Sequence, residues 1–90
     1  MIYPKIFKLE TGSDLLISLQ KMAKKENKAG YILSVVGNLS KARIKCPGKK
    51  QSTLINNTLE IISLNGTIDP HRCHLHISFS DGNCNVWAGH

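Results

Sequence analysis

Cysteines, aromatic residues and acidic residues are all scarce in this 90-residue sequence, and each shortage closes off a class of protein. Cys46, Cys73 and Cys84 are odd in number and lack a C-x-x-C spacing, which argues against a disulfide framework and against a thiolate zinc cluster. They read as reduced, small, buried thiols. Tyr3, Phe7, Tyr31, Phe79 and Trp87 are the whole aromatic complement, thin for a sheet that stacks the bases of a single strand. The six acids are scattered, so no paired-carboxylate constellation exists, and Gly37-Asn38-Leu39-Ser40 lacks the pattern of a phosphate-cradling loop. The longest uncharged stretch, Ala29 to Ser40, has 12 residues, well short of the roughly 20 a membrane span requires. The opening MIYPKIFKLETG alternates instead of running apolar, which fits neither a secretory signal nor a transit peptide, so a cytoplasmic location and no membrane partner are expected.

What is present is one domain's worth of chain, 41% apolar, read as a single unit over residues 1–90. The net charge is +6, and it is unevenly spread. Residues 1–50 carry 11 cations and 3 anions, whereas residues 51–90 carry Arg72 against Glu60, Asp69 and Asp81, together with all four histidines. The cationic half suggests an acidic partner, although lysines that merely solvate a small domain would leave the same trace.

Thr11-Gly12-Ser13-Asp14 offers cap chemistry for a helix starting near Ser13. At 100° per residue Leu15, Leu16, Leu19, Met22 and Ala23 share one arc, while Lys21, Lys24, Lys25 and Lys28 share the opposite one. Asn27 and Gly30 mark its end between Glu26 and Lys28. Ile2 to Leu9 reads as a first or edge strand. The β-branched run Tyr31 to Val36 reads as a strand covered on both faces, at the centre of a sheet. Lys41 to Cys46 alternates, with Ala42, Ile44 and Cys46 on one side and Lys41, Arg43 and Lys45 on the other. Leu59 to Ile68, His71 to Phe79 and Cys84 to Trp87 read as further strands, the first containing Gly66 and the last two separated by an Asp81-Gly82 turn. The lysine-backed helix and the Lys41, Arg43, Lys45 face are the candidate phosphate contacts, with affinity expected to depend on salt and little on base sequence.

His74-Leu75-His76 carries the metal chemistry. Period-2 spacing puts both imidazoles on one strand face, roughly 6 to 7 Å apart, a distance one metal ion bridges. Two ligands do not make a site, and an isolated H-x-H is more simply a polar strand face. A third ligand must come from another strand, the chain end or another subunit, and His90, about one hairpin away, is the natural candidate for a zinc ion. Cys73 belongs to the apolar face of its strand, where burial keeps a thiol protonated, so nucleophilic catalysis has little support.

Taken in order, Leu9-Glu10-Thr11-Gly12-Ser13-Asp14-Leu15-Leu16, the run from Ser34 to Ile44, Glu60 to Ile68, and His74 to Asp81 continuing to Gly89-His90 resemble the PPC domain family (plant and prokaryote conserved domain). The resemblance spans nearly the whole chain. It implies a mixed α+β fold with a curved, mostly antiparallel sheet and one main amphipathic helix packed on it. It also implies a homotrimer and a DNA-binding or regulatory label, which in plants rests partly on AT-hooks; for this chain, as a prokaryotic-type stand-alone domain, a non-enzymatic role is the expectation. This sequence has no Arg-Gly-Arg-Pro hook, so DNA binding would rest on Lys21, Lys24, Lys25, Lys28, Lys41, Arg43 and Lys45. The family's histidine cluster maps onto His74, His76 and His90, which keeps open a metal-dependent enzyme or small-molecule binder with its site at a subunit interface. The family pattern continues past the Gly-His pair, so the chain is expected to lack C-terminal strands, leaving an edge that favours association.

Overall fold

A computed structural model describes residues 2–90. Helix α1, Leu15–Glu26, lies where its periodicity places it. The Asp14 side chain accepts the Ile17 amide at its N-terminus, and Asn27 closes its C-terminus in the left-handed region at φ 51°. Leu19 and Ala23 are buried, Leu15 and Met22 half-buried, and the lysines face solvent. The strands that follow are β1 (Gly30–Tyr31), β2 (Asn38–Leu39), β3 (Ala42–Ile44), β4 (Thr53–Ile55), β5 (Leu59–Ile68), β6 (Cys73–Ser80) and β7 (Val86–Gly89). All pairings are antiparallel, giving a mixed α+β fold with one helix resting on β5 and β6.

The main sheet runs β1-β5-β6-β7, with β2 also on β5. Tyr31 pairs with Thr67 and Asn38 with Glu60, so equal lengths of chain separate the two contacts and β1 and β2 are ends of one edge strand in a single register. The expected central strand over Tyr31 to Val36 is therefore corrected. It lies along the sheet's edge, and its middle leaves the ladder after the Ile32 amide bonds the Gly66 carbonyl at 3.1 Å. Leu33 and Val36 are 67% and 93% exposed, so nothing among the described residues covers these side chains on the faces either. The expected strand over Ile2 to Leu9 is corrected too. It has no ladder partner among the described residues, and its one side-chain hydrogen bond among them is the solvent-exposed Lys5–Glu26 ion pair at 2.6 Å. That pair holds the Glu26 carboxyl below its ordinary range, through the hydrogen bond from Lys5 first and its charge second.

β3 and β4 form a two-stranded ribbon whose Ile44 enters a core with Leu59 and Phe79, flanked by Leu39, Ala42, Cys46, Ile55, Ile77 and Trp87. The alternation expected for Lys41 to Cys46 is present, with Ile44 buried and Arg43 and Lys45 exposed. The ribbon joins the main sheet where Lys45 and His90 exchange both backbone hydrogen bonds, at 2.7 and 3.0 Å. Between β6 and β7, Asp81 builds the turn by accepting the amides of Asn83 and Asn85, each at 2.9 Å. Burial opposes its charge, but the bonds from Asn85 and Asn83 outweigh burial and hold the carboxyl below its usual value.

β5 carries an irregularity that sets which residues share its outer face. Its register with β6 shifts between Ile61 and Ser63, so Ile61 faces Phe79 while Ser63 already faces Ser78. One extra residue reverses the alternation. Leu59, Ile61 and Leu64 are all buried, whereas Asn65 and Thr67 come out exposed beside the histidines of β6.

Candidate metal centre

On β6, Cys73, Leu75, Ile77 and Phe79 point inward and His74 and His76 outward, as period 2 dictates. The register that pairs Ile77 with Gly89 places His90, the residue after β7, beside His76. The three rings meet edge to face: centroids are 5.3 Å apart for His74 and His76, 5.1 Å for His74 and His90, and 5.9 Å for His76 and His90. Each ring offers one nitrogen, and the three nitrogens lie within 4.8 Å of one another. Around a single ion at bonds of about 2.0 to 2.1 Å, tetrahedral donors sit roughly 3.4 Å apart, so the three rings would draw together from the spacing seen here to share one ion. Three neutral imidazoles with no carboxylate suit zinc and its neighbours, and do not suit the oxygen-seeking calcium or magnesium. The donor set therefore fits the ion that the sequence pattern implied. All three side chains are solvent-exposed, and no protein hydrogen bond to the rings exists among the described residues.

Closeness of β5 and β6 beneath the cluster depends on Gly66. A Cβ there would lie 2.0 Å from the His74 carbonyl oxygen, and φ is +142°. Asn65, Gly66, Thr67, His74 and His76 line a shallow depression of about 260 Å³. The fourth histidine, His71, stands apart in the β5–β6 turn, where its amide bonds Asp69 at 2.7 Å.

The cations fall into two groups. Lys21, Lys24, Lys25 and Lys28 are exposed on α1 and just beyond it, and Lys41, Arg43 and Lys45 are exposed on and beside β3. The helix packs on β5 and β6, while β3 pairs with β4 and Lys45, just past β3, bonds His90, just past β7, so the two groups ride on different elements. Arg43 donates to the Ser52 hydroxyl at 3.2 Å. Cys73 donates its thiol to Gln20 at 3.3 Å, and burial, then the Asp69 charge, pushes that thiol up, away from nucleophile behaviour.

Sequence reasoning missed Asn65, Thr67 and the adjacency of Lys45 to His90. A glycine within a strand signals close backbone approach, and Gly66 was legible in that sense. The bulge two turns of the pleat away was not.

The fold and the surface cluster together define a small α+β domain with a three-histidine face. The chain belongs to the Plants and Prokaryotes Conserved (PCC) domain family, whose model matches residues 3–90. Among solved structures, a hypothetical protein from Salmonella enterica matches with a TM-score of 0.88 and 29% identity, over 91% of this chain and 60% of that one. A protein from Bacteroides thetaiotaomicron, described as a "putative dna binding protein", shares the fold at a TM-score of 0.78 and 21% identity, over 91% of this chain and 62% of that one. Among curated proteins, "Bifunctional protein GlmU" from Synechococcus sp. strain JA-3-3Ab is 34% identical over 90 residues, and that from strain JA-2-3B'a(2-13) is 36% identical. The chain spans 14% of the length of each of these GlmU proteins. Among the described residues no helix is long and apolar enough to cross a membrane.

Proposed function

We propose that the chain is a metal-dependent binding module in which His74, His76 and His90 hold one zinc ion. The observation that carries the reading is the convergence of three exposed imidazole nitrogens, from two neighbouring strands, within 4.8 Å. Zinc held by three nitrogens keeps a fourth position for water or a ligand and acts there as a Lewis acid. The protein's part is to hold the imidazoles: β6 fixes His74 and His76 by its pleat, and the Lys45–His90 backbone pair fixes the third. A homotrimer is part of the proposal, supported by apolar side chains left open to solvent, among them Ile6, Leu33 and Val36. Metal analysis of the purified particle, with its mass taken by light scattering, is expected to give one zinc per protomer and about three protomers. His74→Ala and His76→Ala are each expected to abolish bound zinc and leave the folded particle intact, since neither ring contributes to the core. Zinc binding is also expected to weaken on acidification, because protons compete with metal for imidazole. Metal-free protein after growth in zinc, or variants that simply unfold, would count against the site.

DNA binding is the second reading, favoured by the exposed cations of α1 and β3 and by the description of the Bacteroides fold relative. It assigns Lys21, Lys24, Lys25, Lys28, Lys41, Arg43 and Lys45 to phosphates and gives the module a regulatory, non-enzymatic role. Log affinity for duplex DNA is expected to fall linearly with log salt, each removed contact lowering the slope by about one, with slight base preference. Absence of binding at low salt in a gel-shift or anisotropy titration would leave the lysines as solvating charges.

A further inference from the structure

The sheet aligns four residues in a row across its outer face. Asn65 of β5 pairs with His76 of β6, His76 lies beside His90 by the β6–β7 register, and His90 exchanges both backbone bonds with Lys45. Residues paired across antiparallel strands project to the same face, and neighbouring strands are about 4.8 Å apart. Lys45 therefore stands one strand from the metal-ligand cluster on one side, and the Asn65 amide stands one strand from it on the other. Thr67, paired with His74, adds a hydroxyl in the adjacent row. None of these residues is acidic. Among the described residues the one ion pair is Lys5–Glu26, so Lys45 is not neutralised by a carboxylate.

We infer that this surface takes a small oxyanion, a carboxylate or a phosphate group, at the position the three histidines leave open on the metal. The inference rests on the metal reading above and deepens it. Three neutral imidazoles leave the full double charge of a divalent ion uncompensated, so the fourth ligand is favoured when it is negative. Lys45, paired through its backbone with His90, adds a second positive charge one strand from the cluster. Asn65 and Thr67 supply donors for an oxygen not bound to metal. A depression of about 260 Å³, lined by Asn65, Gly66, Thr67, His74 and His76, admits a small acid and leaves larger parts of a ligand in solvent. Lys45 and Thr67 are thus specificity-determining residues, acting on the ligand and not on the metal.

Cobalt(II) in place of zinc tests this, because its visible bands report the fourth ligand. The cobalt-loaded protein is titrated with acetate, with inorganic phosphate and with weakly coordinating perchlorate, at constant ionic strength. Saturable band shifts with acetate or phosphate and none with perchlorate are expected, the tighter of the two identifying the natural acid class. Lys45→Gln is expected to weaken the anion about five- to tenfold, and Thr67→Val about two- to fivefold, with cobalt content unchanged in both. Bound cobalt whose bands ignore both anions, or an anion affinity unaltered in Lys45→Gln, overturns the inference and leaves the metal site standing. Failure to bind cobalt overturns the metal reading itself.

Discussion

Replacing Gly66 by alanine is expected to cost about 2 to 4 kcal/mol and to lower the melting temperature by about 10 to 20 °C. The added Cβ would sit 2.0 Å from the His74 carbonyl oxygen and 2.9 Å from the His74 carbonyl carbon and the Leu75 Cα, all of them backbone atoms that no rotamer change relieves. The backbone at φ +142° adds its own strain for any residue with a side chain. β5 and β6 must therefore part at the level of His74, which displaces the stretch of β6 that carries two of the three candidate ligands. Thermal unfolding followed by circular dichroism measures the first effect, and zinc content the second. A melting temperature within about 2 °C of the parent would show that the close approach is not a constraint in solution.

Phe79→Ala is expected to be the most damaging single change, at about 3 to 5 kcal/mol, against a total stability of about 5 to 15 kcal/mol for a domain. Phe79 is 0% exposed, packs with Ile44 and Leu59, and lies 6.3 Å from the Trp87 ring, centroid to centroid. It is the residue through which the β3–β4 ribbon and the main sheet share a core. Because Trp87 is the sole tryptophan, its fluorescence during urea unfolding reports on that packing directly. The control is Ile62→Ala on the exposed face of β5: Ile62 is 57% exposed, and its loss is expected to cost under about 1 kcal/mol. Equal effects of the two substitutions would contradict the assignment of the core.

Much of this molecule follows from local chemistry that a sequence displays. Helix α1 is set by its apolar arc, by Asp14 at its start and by Asn27 at its end, all within one short segment. The bounds of β5, Leu59–Ile68, coincide with those read from its composition, and β6 obeys the alternation that turns His74 and His76 outward. The family, too, was legible in the ordered motifs, and the match over residues 3–90 bears it out. The run from Tyr31 to Val36 misled for a physical reason. β-branched residues favour extended backbone, but their pattern does not encode whether a neighbour stands on both sides, and here β5 stands on one side alone among the described residues. The short β2 and β4 escaped notice because strands of two or three residues carry too little periodicity to register.

The outer face of the sheet was decided by tertiary structure. Strict alternation along β5 would set Asn65 and Thr67 on the same side as buried Leu59 and Ile61, yet the bulge between Ile61 and Ser63 turns them to the side of the histidines. A bulge arises from how two strands satisfy each other's backbone and core contacts, and neither strand states it alone. The same holds for the pairing of Lys45 with His90, which joins residues 45 positions apart through a ribbon that folds back on the sheet. The helix, the long strands and the outward pair of imidazoles were legible from the residues alone, since each depends on neighbours near in the chain. His90 was named as the third imidazole from its distance of one hairpin, but its register beside His76, the lysine next to it and the polar residues opposite came from the folded molecule, since they depend on register between strands, which is fixed by packing and not by propensity.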